Sequence, residues 1–159
     1  MRKIPLTQGQ FTLVDDEDYE VLSQFKWCAK WSPDVQGYYV KRNKVVNSKK
    51  LVIYMSRWLL NAPKNLQVDH INHNGLDNRR SNLRLATNSQ NLYNSRRSKG
   101  RSGFRGVTFE KRTGKWEARI KVDRKSINLG TFSDKMQAAL AYNHAASALH
   151  KEFATLNPI

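Results

Sequence analysis

The chain has 159 residues, a net charge of +15, 39% hydrophobic residues and a single cysteine. A pI of about 10.2 and a mean hydropathy of -0.71 point to a polyanionic partner, nucleic acid ahead of a membrane surface, and to two compact units with modest cores. Cys28 alone excludes a disulfide framework and a Cys-rich zinc site. With no apolar run near the ~20 residues of a membrane span and no signal-peptide core at the N-terminus, the expectation is a cytoplasmic protein with no membrane partner.

Residues 4–7 and 10–14 read as short strands. Asp15, Asp16, Glu17, Asp18 and Glu20 then gather five of the thirteen acidic residues. Acidic side chains in a first turn suit the helix dipole, which predicts a helix over about 16–24; a metal site is the alternative. Residues 26–31 and 37–42 read as a hairpin joined by 32–36. Its Trp27, Trp31, Tyr38 and Tyr39 can fill a core or stack on bases, and strand aromatics more often do the former. Residues 41–50 are expected to be a basic polar turn near phosphate, and 51–53 a strand. A helix over 54–60 with Met55, Trp58 and Leu59 on one face ends at Pro63.

Residues 66–71 form a predicted strand, followed by a turn-rich loop, His73-Asn74-Gly75-Leu76-Asp77-Asn78, and a second strand over about 82–85. A helix starts at Thr87 with a capping box, Thr87 and Gln90 each reaching the other's backbone amide. This places Asn91 near the first turn, opposite Asp69 and His70. Asp69 offers a hard carboxylate oxygen and Asn91 an amide oxygen, a pair suited to Mg²⁺ with several waters retained. His70, with a reference pKa near ~6.5, can take a proton from water. One metal and one base suffice to hydrolyse a phosphodiester. His73 can join the metal or touch substrate, though a loop-tip histidine is more often a surface residue; His144 and His150, on the C-terminal helix, receive no chemical role.

Residues 95–103 contain Arg96, Arg97, Lys99 and Arg101, no acidic residue, and Gly and Ser for flexibility. This is a basic linker whose charge suits phosphate tracking; a solvated linker is the alternative. Residues 104–110, 115–122 and 126–129 then read as three strands. In the middle strand Trp116, Ala118, Ile120 and Val122 share one face, and Lys115, Glu117, Arg119 and Lys121 the other. A helix from about Asp134, capped by Ser133, runs to near His150. Its stripe of Ala138, Ala141, Ala145 and Leu149 is expected to sit on the sheet, which leaves the charged face for DNA.

Val68-Asp69-His70-Ile71-Asn72, Asn78-Arg79-Arg80-Ser81-Asn82-Leu83-Arg84 and Ala86-Thr87-Asn88-Ser89-Gln90-Asn91 resemble the HNH (ββα-metal) nucleases, particularly the homing branch. The resemblance implies Asp69 and Asn91 as metal ligands, His70 as general base and Asn82 as the residue orienting that base. The family's final His is Asn91 here, which favours magnesium, with Mn²⁺ as a substitute, over zinc or nickel.

Phe104-Arg105-Gly106-Val107, Gly114-Lys115-Trp116-Glu117-Ala118-Arg119-Ile120, Leu129-Gly130-Thr131-Phe132 and Ala138-Ala139-Leu140-Ala141-Tyr142 resemble the APETALA-two/ethylene-response-factor domain. In that family the three-stranded sheet lies in the DNA major groove. The resemblance implies contacts from Arg105, Arg119 and Lys121. Arg112, Lys115, Glu117, Arg124 and Asn128 fall on or beside the same sheet and join the expected DNA-binding set. Thr108 stands where a second arginine is usual and Asn128 where a tryptophan is usual, so no target sequence carries over.

The fold expected is α+β: a small ββα-metal nuclease module with an N-terminal strand and hairpin region, plus a three-stranded antiparallel sheet packed on one helix. The domains expected are a nuclease over 1–95 with its core motif in 66–95, a linker over 96–103, and a DNA reader over 104–159. The function expected is a Mg²⁺-dependent DNA endonuclease, homing or phage-borne, whose partner is double-stranded DNA. The rival is a DNA-binding regulator with a vestigial nuclease site.

Overall fold

A computed structural model describes residues 1–33, 35–95 and 100–159. The chain is mixed α+β and divides into two compact units, Met1–Asn91 and Leu92–Ile159.

The first unit opens with an antiparallel pair, β1 (Arg2–Pro5) and β2 (Phe11–Val14), followed by α1 (Asp16–Ser23). The acidic first turn of α1 has a structural use: both Asp18 oxygens accept from the Arg80 guanidinium at 2.7 and 2.8 Å. Next comes a three-stranded antiparallel sheet of β3 (Cys28–Ser32), β4 (Gly37–Val46) and β5 (Lys49–Tyr54). The basic turn expected over 41–50 is instead mostly strand. β4 runs on to Val46, and only Asn47 and Ser48 turn the chain, both with positive φ. Such a two-residue primed turn matches strand twist; Asn-Gly would have announced it, and Asn-Ser does not.

The core of this unit gathers Ile4, Val14, Leu22, Trp27, Val40, Met55, Leu59 and Leu83. Trp27 is thus a core residue, its indole N–H donating to the Leu22 carbonyl at 2.9 Å. Trp31 is exposed and packs edge-on against Tyr38. The short helix α2 (Met55–Leu59) buries Met55 and Leu59, while Trp58, at the edge of the same i, i+3, i+4 face, is 39% exposed. The Arg57 guanidinium, donating to the Ala62, Pro63 and Leu66 carbonyls, fastens the segment that leads into β6 (Gln67–His70). β6 pairs antiparallel with β7 (Leu83–Ala86), and α3 (Asn88–Tyr93) follows.

In the second unit β8 (Val107–Glu110), β9 (Lys115–Val122) and β10 (Lys125–Phe132) form an antiparallel sheet with β9 central. The helix α4 (Lys135–Leu149) covers one face. Its cap is Asp134, whose carboxylate accepts from the Met136 and Gln137 amides, rather than Ser133. The buried stripe is Ala138, Ala139, Tyr142 and Ala146, rotated from the one expected, and Leu149 is exposed. So many alanines leave the helix phase undetermined by pattern; the large Tyr142 sets it. Gly106, at φ +72, marks the tightest approach. A Cβ there would meet the Tyr142 ring at 2.2 Å and the Arg119 carbonyl at 2.5 Å. Among the described residues no helix is long and apolar enough to cross a membrane.

Candidate functional site

The β6–β7 register sets Asp69 opposite Arg84 and His70 opposite Leu83. Strand alternation turns Gln67 and Asp69 to one side. Asp69 is buried, and its Oδ2 takes both Arg84 contacts, Nε and Nη2, at 2.8 Å. The Asn91 amide reaches the same strand, its Nδ2 donating to Gln67 Oε1. α3 is held for this by the capping box, formed as expected: the Thr87 amide donates to Gln90 Oε1 at 2.8 Å and the Gln90 amide to Thr87 Oγ1 at 3.2 Å. Asp69 and Asn91 are therefore each tied to the β6–β7 hairpin.

His70 lines an open cleft of about 290 Å³ with Val68, Gln67, Lys30, Ser32, Tyr39, Tyr54, Ser56 and Arg57. Its ring lies 6.2 Å, centroid to centroid, from Tyr39. Burial pushes its pKa below 6.5, partly offset by its contact with Asn78 and by the charges of Asp69 and Asp77. The ring is thus held towards its neutral form, the form in which it acts as a base.

A chain of hydrogen bonds leads from β2 to the His70 ring. Thr12 Oγ1 donates to the Leu76 carbonyl at 2.7 Å, so it accepts from Asn78 Nδ2 at 2.9 Å. Asn78 then presents Oδ1 to His70 Nε2, 3.4 Å away. An oxygen acceptor opposite Nε2 suits the Nε2-protonated tautomer of the ring.

The loop between β6 and β7 is itself a built structure. Asp77 is buried and gripped by Arg79, Nε at 2.8 Å and Nη2 at 2.6 Å; that bond keeps its carboxyl below the usual range. Asn82 joins the two ends of the loop: its Oδ1 accepts from the Asn72 amide at 2.9 Å, and its Nδ2 donates to the Asp77 carbonyl at 2.8 Å. Gly75 sits so close to β4 that a Cβ would lie 2.3 Å from the Tyr38 carbonyl oxygen.

The residues that can hold a metal are Asp69, through its carboxylate, and Asn91, whose Oδ1 is the amide atom not engaged with Gln67. Among the described residues no three His, Cys, Asp or Glu side chains gather into a metal-binding group. One carboxylate and one amide oxygen fit Mg²⁺, which retains several waters, and do not fit zinc, which prefers imidazole and thiolate.

In the second unit Arg112, Lys115, Arg119, Lys121, Arg124 and Asn128 are exposed on or beside the uncovered sheet face, as is Arg101 before it. Glu117 is held between two neighbours: Oε1 accepts from Asn128 Nδ2 at 3.2 Å and faces Arg119 Nη2 at 2.7 Å. Arg105 is half-buried. Its guanidinium turns inward and donates to the Tyr93 and Ser95 carbonyls, which removes it from the exposed face. Arg96, Arg97 and Lys99 lie outside the described residues.

Sequence reasoning quoted Asn78 in a motif without giving it a role, and it passed over Thr12, Asp77 and Gln67. Thr12 lies 66 residues from Asn78, so no local pattern joins them. For Asp77 the spacing to Arg79 was a usable signal.

The family model described as HNH endonuclease matches residues 61–93. The chain is 31% identical over 152 residues to a protein of Acanthamoeba polyphaga mimivirus named as an uncharacterized HNH endonuclease, covering 96% of this chain and 77% of that one. It is 29% identical over 93 residues to Protein 3.8 of Escherichia phage T7, covering 58% of this chain and 76% of that one. A shorter match, 46% identical over 49 residues, is to an ethylene-responsive transcription factor-like protein of Arabidopsis thaliana, covering 31% of this chain and 21% of that one. No solved structure matches the chain.

Proposed function

The chain belongs to the HNH endonuclease family, and we propose that it is a Mg²⁺-dependent DNA endonuclease of a phage or mobile element, acting inside the cell on double-stranded DNA. The observation that carries this reading is His70 lining an open cleft, its pKa lowered by burial and its Nε2 facing Asn78 Oδ1, on the same hairpin that ties Asp69 and Asn91. His70 Nδ1 accepts a proton from the attacking water, and Asn78 holds the ring through Nε2 while the charge forms. Asn82 acts as a positioning residue, bracing the loop that presents Asn78. A divalent ion held by Asp69 and Asn91 would supply Lewis acidity to the phosphate and its leaving oxygen. By family resemblance the products carry 5′-phosphate and 3′-hydroxyl ends.

The division of labour proposed is a nuclease over 1–95, a linker over 96–103 and a sequence reader over 104–159. The exposed row of Arg119, Lys121 and Asn128, on a sheet whose other face is covered by α4, supports the last part. Such donors can address base edges in the major groove, while contacts around the scissile phosphate position without reading.

One observation favours a second reading, a DNA-binding regulator with a silent nuclease site: Arg84 already neutralises Asp69. Supercoiled plasmid incubated with the protein and Mg²⁺, with and without EDTA, separates the two. Open-circle or linear product that EDTA abolishes is expected. Intact plasmid in the presence of demonstrable DNA binding would leave the regulator.

A further inference from the structure

Residues 43–52, the outer part of β4 and β5 with their turn, are all exposed. This two-stranded ribbon projects beyond the core with neither face covered. Val45, Leu51 and Val52 are 64%, 49% and 50% exposed. Isolated ribbons are marginally stable in water, so uncovered apolar side chains along both strands point to a partner.

The charge indicates which kind. Residues 41–54 contain Lys41, Arg42, Lys44, Lys49 and Lys50 and no carboxylate. Arg42 is committed to the root of the ribbon, its guanidinium over the Phe25 ring at 3.9 Å. A second copy docking here would set Lys44, Lys49 and Lys50 against their own kind, whereas a polyanion meets them favourably.

The register adds direction. Lys30 pairs with Tyr39, Lys41 with Tyr54, Asn43 with Val52 and Val45 with Lys50. By strand alternation these residues share one sheet face. Its inner end, Lys30, Tyr39 and Tyr54, lines the cleft that holds His70. One continuous face therefore runs from the cleft to the ribbon tip.

We propose that this ribbon is a DNA-contacting arm of the nuclease unit, lying in the major groove of the duplex beside the phosphate presented to His70. The proposal rests on the nuclease reading of that cleft. Five residues per strand span about 17 Å at ~3.3 Å each, and the groove, roughly 12 Å wide, admits a two-stranded ribbon. Lys44, Lys49 and Lys50 meet phosphates; Asn43, Asn47 and Ser48 reach base edges; Val45 and Val52 suit thymine methyls. DNA is thus gripped on the cutting unit as well as on the reader.

The test compares the full chain with its Lys44→Gln/Lys49→Gln/Lys50→Gln variant on a random-sequence duplex, by fluorescence anisotropy across a salt series. Each lost phosphate contact removes about 0.9 from the slope of log K against log salt, so the slope should become shallower by roughly 2 to 3. Dimethyl sulfate, which methylates guanine N7 in the major groove, should show a protected patch beside the nick that the variant loses. The Lys→Arg triple variant should restore slope and patch, which separates lost charge from lost folding. An unchanged slope and footprint overturn the proposal. So does a variant that binds DNA normally but changes from dimer to monomer in sedimentation, since the ribbon would then serve self-association. A wild-type chain that neither binds nor cuts DNA would instead sink the nuclease reading itself.

Discussion

The loop between β6 and β7 and the sheet β8–β10 are both polar surfaces, yet they are held in opposite ways. The loop depends on partners far along the chain. The Leu13 amide donates to the Leu76 carbonyl, the Asn78 amide to the Leu13 carbonyl, and the Arg80 amide to Asp15. The sheet is built from neighbours joined by short turns, and most of its charged side chains are exposed. Distant substitutions should therefore silence the loop, whereas the exposed face of the sheet can be altered without unfolding it.

The largest effect expected is at the base itself. His70→Ala should lower plasmid cleavage by about 10²–10⁴, the usual worth of a positioned general base, with anisotropy showing DNA affinity intact. Asp69→Ala should act likewise. Cleavage by His70→Ala at the wild-type rate would mean the site has been misassigned.

Gly75→Ala tests whether the loop matters as a body. The new Cβ would press on the Tyr38 backbone oxygen, which has no flexible end to yield. A loop displaced by a fraction of an ångström should cost cleavage about tenfold to a hundredfold, with the second unit's DNA binding retained. Equal cleavage by this variant would show that the loop adapts.

Thr12→Val keeps the shape but removes both hydrogen bonds of the hydroxyl, leaving Asn78 Nδ2 without its Thr12 acceptor. The Gly75 carbonyl at 3.3 Å still takes one Asn78 N–H, and the other, left buried without an acceptor, costs about 1–3 kcal/mol. The thermal midpoint should fall, and nitrogen NMR of His70 should show the two ring tautomers mixing. Thr12→Ser should restore both. A single unchanged tautomer in Thr12→Val would contradict the relay.

On the sheet, Arg119→Ala with Lys121→Ala should flatten the preferred-site motif selected from random DNA by about tenfold or more, since a bidentate base contact discriminates by about 1–3 kcal/mol. Folding should be unaffected. A motif that survives intact would move recognition away from this face.

The smallest effect concerns His150. It is stacked on Tyr93 and bonded through Nε2 to the Lys121 carbonyl, and its Nδ1 is buried without a partner. Burial, the dominant cause, and the nearby Arg105 charge lower its pKa from 6.5. The unfolded chain then binds this proton more readily than the folded one, so stability rises with pH until about 6.5 and falls on acidification. His150→Gln should show a shallower loss of thermal midpoint below that pH. A steeper loss in the variant would reverse the assignment.

Local chemistry was readable wherever neighbouring residues carried it. The capping box of Thr87 and Gln90, the alternation of β9 and the acidic first turn of α1 each depend on interactions within a few residues. Misreadings came where distance or abundance intervened. The 41–50 segment reads as a turn because polar residues crowd it, and only pairing with β5 makes it a strand. α4 has alanine on too many sides for its buried stripe to be phased by pattern. The Tyr93 and Ser95 carbonyls that engage Arg105 are likewise ten or more residues from it.

The sequence by itself determined the chemical inventory: one histidine flanked by a carboxylate, an amide on a capped helix, and an excess of cations suited to phosphate. These follow from residue identity and short spacing, which no fold can alter. The tertiary structure alone decided what faces the His70 ring, because Thr12 holds Asn78, 66 residues away from it in the chain, with its oxygen towards Nε2. It alone decided that Arg105 faces inward and that residues 43–52 stand clear of any core. Those outcomes depend on which groups remain solvated after packing, and solvation is a property of the folded surface, not of any local run of residues.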